Sequence, residues 1–145
     1  MKKNVIYIIS IVIVICVLIA SKLYTSKEYL TKIKEFNTKY EKYTRSEIVG
    51  TEVASIINQA VDDNEYERIK KDKNGKYIQN DINSINIEVK ITEFSEEQIY
   101  SMETLYNGGM INFAQNYNSI YFECTKINYN KFGKVNYMFF EQRTV

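Results

Sequence analysis

The chain has 145 residues and a formal net charge of +1, from 19 basic and 18 acidic side chains. That balance gives no whole-protein case for nucleic-acid binding, which would show as a basic face or a high pI. There is no His, so the commonest general base and the commonest metal ligand are both missing.

The chain opens with an apolar run, Val5 to Ala20, that carries no charge and is closed by Lys3 and Lys22. A membrane span needs about 20 apolar residues, and Lys22, Leu23 and Tyr24 can complete this one at the interface. Val5, Ile6, Ile9, Val12, Ile15, Leu18 and Ile19 are its anchoring side chains. Cleavage as a signal peptide fits worse. A cut after Ala20 or Ser21 leaves Leu18 or Ile19 at the third-last position, where a small residue is needed. Lipidation at Cys16 is opposed by Ile15 before it. Lys2 and Lys3 favour a cytoplasmic N-terminus, although Lys22, Lys27, Lys32 and Lys34 crowd the other end. The expectation is a single-pass signal anchor in a cell membrane, with the remainder outside the cytoplasm.

From Lys22 to about Tyr43, Leu23, Leu30, Ile33, Phe36, Tyr40 and Tyr43 recur at helical spacing, predicting a helix continuous with the span. Leu30, Ile33 and Tyr40 are candidates for an interaction surface on it. Gly50 breaks the pattern, and Thr51 reads as the N-cap of a second helix carrying Val53, Ile56, Ile57, Ala60 and Val61 on one face. Asp62, Asp63 and Asn64 are expected to end it. Asn74-Gly75 marks a turn. Ile85, Ile87, Val89 and Ile91 alternate with polar residues as a half-buried strand does. A second strand is expected from Gln98 to Tyr106, broken by Asn107-Gly108-Gly109. Met110, Phe113, Ala114 and Tyr117 then suggest a short crossover helix, and 120–129 with 135–142 a hairpin.

The expected architecture is α+β: a membrane anchor (1–23), a membrane-proximal helix (24–49) and a small domain (50–145) with an antiparallel sheet of about four strands.

Catalytic sets are absent from this pattern. Serine or cysteine catalysis through His is excluded. Cys124 sits among strand aromatics and reads as a buried, inert thiol, and a disulfide to Cys16 in the span is not expected. Zinc lacks ligands. Asp72, Asn74, Gly75 and Asp81 echo part of a calcium loop, but Lys70 occupies the position where its first carboxylate belongs. Gly108-Gly109 lacks the further glycines of a phosphate loop. Neither an enzymatic activity nor a cofactor is therefore expected. Thirteen Tyr and seven Phe remain. They suit strand packing, and Tyr121 and Tyr137, if they share the solvent face, form a candidate partner or ligand surface. The expected partners are the lipid bilayer, through one helix, and a second copy or another membrane protein.

The heavy use of Ile, Asn, Lys and Tyr has the codon signature of a low-GC genome. The order of apolar helix, amphipathic continuation and small sheet resembles type IV pilins and pseudopilins. The segment Ile48-Val49-Gly50-Thr51-Glu52-Val53-Ala54-Ser55-Ile56-Ile57-Asn58 is similar to stretches in small single-pass membrane proteins of clostridia-like bacteria, many of them uncharacterised. The resemblance implies a bacterial surface or secretion role, with an extracytoplasmic domain for assembly. The prepilin processing Gly and the Glu within the apolar run are both absent, so neither that cleavage nor polymerisation through that Glu is implied.

Overall fold

The computed structural model describes residues 2–93 and 96–143, with the side chains of residues 2–6 and 8–10 outside the description. The chain divides into two compact units, Met1–Glu35 and Phe36–Val145.

The first unit is the greater part of one α-helix, α1 (Lys2–Glu41). Val5, Ile6 and Ile9 fall outside the described side chains. Val12, Ile15, Leu18 and Ile19 are exposed, as is every residue between Ile11 and Ala20. Among the described residues no helix is long and apolar enough to cross a membrane.

The second unit begins with the last turn of α1. The chain then passes through a short 3-10 turn, Lys42–Thr44, into β1 (Ile48–Val49) and α2 (Gly50–Tyr66). After a long polar excursion come β2 (Asn86–Glu93), β3 (Glu96–Ser101), α3 (Met102–Asn116), β4 (Tyr121–Tyr129) and β5 (Val135–Gln142). The described residues thus form an α+β unit around a five-stranded sheet of order β1-β4-β5-β2-β3. One sheet face and the two helices bury Val53, Ile56, Ile57, Ile87, Val89, Met138 and Phe140 in a single cluster. The five apolar positions that mark α2 in the sequence are all buried, and so are Ile85, Ile87, Val89 and Ile91. Each such aliphatic side chain contributes about 1.5–3 kcal/mol relative to exposure.

The sheet is mixed, not antiparallel, and has five strands, not four. β2 pairs with β5 in parallel, while β2–β3, β4–β5 and β1–β4 are antiparallel. The cause is α3. A helical crossover carries the chain back to the end of the sheet at which the preceding strand began, so β4 runs in the direction of β3. Its hairpin partner β5 then runs along β2. The expected strand over 98–106 stops early because Ser101 caps α3, its Oγ accepting from the Thr104 N–H at 3.3 Å. Asn107-Gly108-Gly109 is a kink inside that helix, with Gly109 at φ 99°.

Helix α2 begins one residue before the expected Thr51 cap. Gly50 N–H donates to the Tyr117 and Ile120 carbonyls, both at 3.1 Å, and Glu52 Oε2 accepts from the Val49 N–H. A Cβ on Gly50 would lie 2.3 Å from the Tyr117 carbonyl oxygen, so only glycine fits this contact between α2 and the C-terminus of α3. Nor does α2 end at Asn64. The Asn64 side chain is fully buried and engages another segment: Nδ2 donates to the Ile85 carbonyl at 2.8 Å, and Oδ1 accepts from the Ile85 N–H at 3.0 Å. The amide therefore does not compete with its own helix backbone.

The end of α1 is tied into this unit. Asn37 Nδ2 donates to the Gly133 carbonyl at 2.7 Å, and Asn37 Oδ1 accepts from the Val135 N–H at 2.8 Å. Tyr40 is fully buried and donates to Asp63 Oδ2 at 2.7 Å. Burial, reinforced by the Asp63 carboxylate, holds the Tyr40 phenol well above its ordinary pKa.

Replacing Asn64 with Ala strands both polar groups of Ile85 in the core. We expect a loss of about 2–4 kcal/mol, read by urea unfolding of the full chain in mild detergent. Gly50→Ala must push α2 away from Tyr117, and the same measurement should show a loss of about 1–3 kcal/mol. Wild-type stability in either variant would contradict the assigned contact.

Candidate functional site

The sheet face turned away from the helices is where polar and aromatic groups converge. β-Strand alternation puts Ile87, Val89, Met138 and Phe140 inward, so Asn86, Glu88, Tyr137 and Phe139 stand on the opposite face. In the register of β4, β5 and β2, Asn128 is opposite Tyr137 and Tyr137 is opposite Asn86. One tyrosine ring is thus flanked by an amide on each side, about 4.8 Å away in each direction across the sheet.

This row floors a shallow, open groove of about 610 Å³, bordered also by Gln79, Ile127, Tyr129 and Asn136. That volume lies within the usual range of small-ligand sites, about 300–1,000 Å³. Gln79 comes from the loop before β2. The loop is closed on itself, because Asn80 Oδ1 accepts from the N–H groups of Ile82, Asn83 and Ser84. The β4–β5 turn packs beside that loop, Asn130 Nδ2 donating to the Ile82 carbonyl at 2.8 Å, and is held by Asn130 Oδ1, which accepts from the Phe132 and Lys134 N–H groups, with Gly133 at φ 79°.

The phenols are oriented by carboxylates. Tyr137 OH donates to Glu88 Oε2 at 2.7 Å, and Tyr129 OH donates to Glu41 Oε1 at 2.9 Å. Partial burial, then the adjacent carboxylate, raises both phenol pKa values, so both stay protonated donors. The Lys126 ammonium lies 5.6 Å from the centroid of the Tyr137 ring. Asn136 Oδ1 is buried without a hydrogen-bond partner.

The residues expected to form an interaction surface are dispersed. Tyr137 lies in the groove. Tyr121 is 48% exposed but starts β4, seven residues from Asn128, or roughly 23 Å at 3.3 Å per residue. The two tyrosines do not form one patch. Tyr40 is fully buried and presents no surface, and Ile33 is buried too, while Leu30 is 60% exposed. Tyr100 pairs with Val89 and so lies on the helix side of the sheet. Sequence reasoning found Tyr137 but missed Asn86, Asn128 and Gln79. The available signal was the polar half of the alternating strand pattern, which is read as solvent-facing by default.

Cys124 pairs with Phe140 on the inner face, half-buried, and burial raises its thiol pKa. It and Cys16 are free thiols. Asp72 is occupied in its own turn, where Oδ1 accepts from the Asn74 and Lys76 N–H groups. A second polar cluster lies beside that turn. Tyr77 OH donates to Glu65 Oε1 at 2.6 Å, Lys71 pairs with the same oxygen at 2.7 Å, and Glu103 Oε1 accepts from the Tyr77 N–H. The associated cavity of about 10 Å³ has room for a water molecule at most. The cluster therefore braces the loop. Among the described residues no group of three or more Cys, Asp or Glu is placed to hold a metal ion.

No protein-family model matches the chain, and neither a curated protein nor a solved structure is detectably similar to it.

Burial, with Glu65 beside it, pushes the Tyr77 phenol up to about 12. An unfolded Tyr titrates near 10, so the native state favours the protonated form. Its contribution is complete below about pH 10 and is lost as pH rises through about 12. Urea midpoints should fall across that window, and Tyr77→Phe should show a shallower fall. An identical pH slope in the variant would refute the assignment.

Proposed function

We propose that the chain is a non-enzymatic, single-pass membrane protein that holds its α+β unit outside the cytoplasm as an assembly or interaction domain. The observation that carries this reading is α1. From Ile11 to Ile19 its side chains are apolar on every side of the helix and all exposed. A stripe would suit a packed helix, whereas an apolar surface all round calls for lipid. In sequence, Val5 to Ser10 extend that surface toward the length of a span. Lys2 and Lys3 support a cytoplasmic N-terminus. The exposed Leu23, Tyr24 and Leu30 extend apolar surface beyond the run, where a second copy or a membrane partner can pack in a pilin-like manner.

The groove favours a second reading, in which the unit is a sensing or binding module that takes a ligand on the open face of its sheet. Its floor of strand residues in register and the closed loop that carries Gln79 support that use.

Alkaline carbonate washing of membranes should leave the full chain in the pellet. Protease added to cells stripped of their wall should remove a C-terminal tag. Release by carbonate would overturn the anchor. A tag protected until the membrane is opened would place the unit in the cytoplasm and remove the pilin-like reading.

A further inference from the structure

We infer that the groove binds a saccharide chain, stacking one pyranose ring on Tyr137 and holding its hydroxyls with Asn86, Asn128 and Gln79. This rests on the second reading above and names the ligand class for that site.

Three arguments lead to a sugar. First, the polar side chains lining the groove, apart from the two phenols, are amides: Gln79, Asn86, Asn128 and Asn136. An amide offers both a donor and an acceptor, as each sugar hydroxyl does, and no lining residue carries a charge to demand a counter-ion. Second, the amides of Asn86 and Asn128 flank one aromatic ring at sheet spacing. The electron-rich face of Tyr137 can receive the C–H face of a pyranose, while the amides reach the equatorial hydroxyls on either side. Lys126, now near that ring, can turn to a hydroxyl at the rim.

Third, Tyr137 stands on β5, which is paired on both sides, with β2 and with β4. A peptide that binds by strand addition needs an unpaired edge, and β5 offers none, so at Tyr137 the ligand is read by side chains, which suits a hydroxyl-rich ring.

The experiment uses the full chain in a detergent without a sugar headgroup. Chitotetraose, cellotetraose and maltotetraose are titrated by calorimetry, with a Gly-Ser octapeptide as the competing class. At least one tetrasaccharide should bind with a Kd of millimolar or tighter. Tyr137→Ala should weaken it at least tenfold, and Asn86→Ala and Asn128→Ala several-fold each. Tyr137→Phe, which keeps the ring, should retain binding within about threefold, guarding against a mere folding defect. Tyr121→Ala, far along β4, should change nothing. Failure of all three sugars, or binding that survives Tyr137→Ala, overturns the proposal. Tyr137-dependent binding of the octapeptide instead overturns the saccharide but keeps a ligand site. If no probe binds, and a photo-crosslinker at position 128 captures nothing in cells, the second reading fails as well.

Discussion

The fold depends on one buried amide. Asn64 satisfies both backbone groups of Ile85, and its own carbonyl accepts from the Ile69 N–H at 2.9 Å. Two hydrogen bonds in a dry environment fix the end of α2 against the entrance to β2, although the polar residues 65–84 intervene. They also fix the register. Side chains alternate along a strand, so a slip of one residue at Ile85 would exchange the two faces of β2. Ile87, Val89 and Ile91 would turn to water, and Asn86 would leave the groove. A core interaction thus determines which amide faces the groove.

The crossover through α3 has a related effect. It puts β5 between β4 and β2, so this central strand is bonded to a neighbour on both sides and meets the outside through its side chains. The outer strands are protected in other ways. β1 is two residues long, and β3 carries Glu96 and Glu97 at its exposed start. Short edges and charged edges both resist unwanted pairing.

Much of this was legible in the residues. The periodicities of α2, β2 and the β4–β5 hairpin gave those elements directly, because each buries one face against the core. The features that went unread are set at long range. Thr51 has the chemistry of a cap, but the carbonyls of Tyr117 and Ile120 start the helix at Gly50. Asn64 has the chemistry of a helix end, but its partner is 21 residues away. Tyr40 belongs to an apolar stripe that suits packing on the domain as well as on another copy, and it is buried beside α2, which takes it off the candidate interaction surface. The parallel β2–β5 pair follows from a helix whose start is hidden in a strand-like stretch, Gln98 to Tyr106. At the groove, Tyr137 stood out by type, whereas the flanking amides become meaningful only once three strands are in register.

The Asn37 contacts bear on how the unit resists unfolding. Asn37 grips the turn and first strand residue of the β4–β5 hairpin through Gly133 and Val135, and Tyr40 grips α2 through Asp63. These contacts join the end of α1 to α2 and to the start of β5, a central strand bonded along both sides. To pull β5 out, its ladders with β2 and β4 must yield together, whereas a terminal edge strand would unzip one bond at a time.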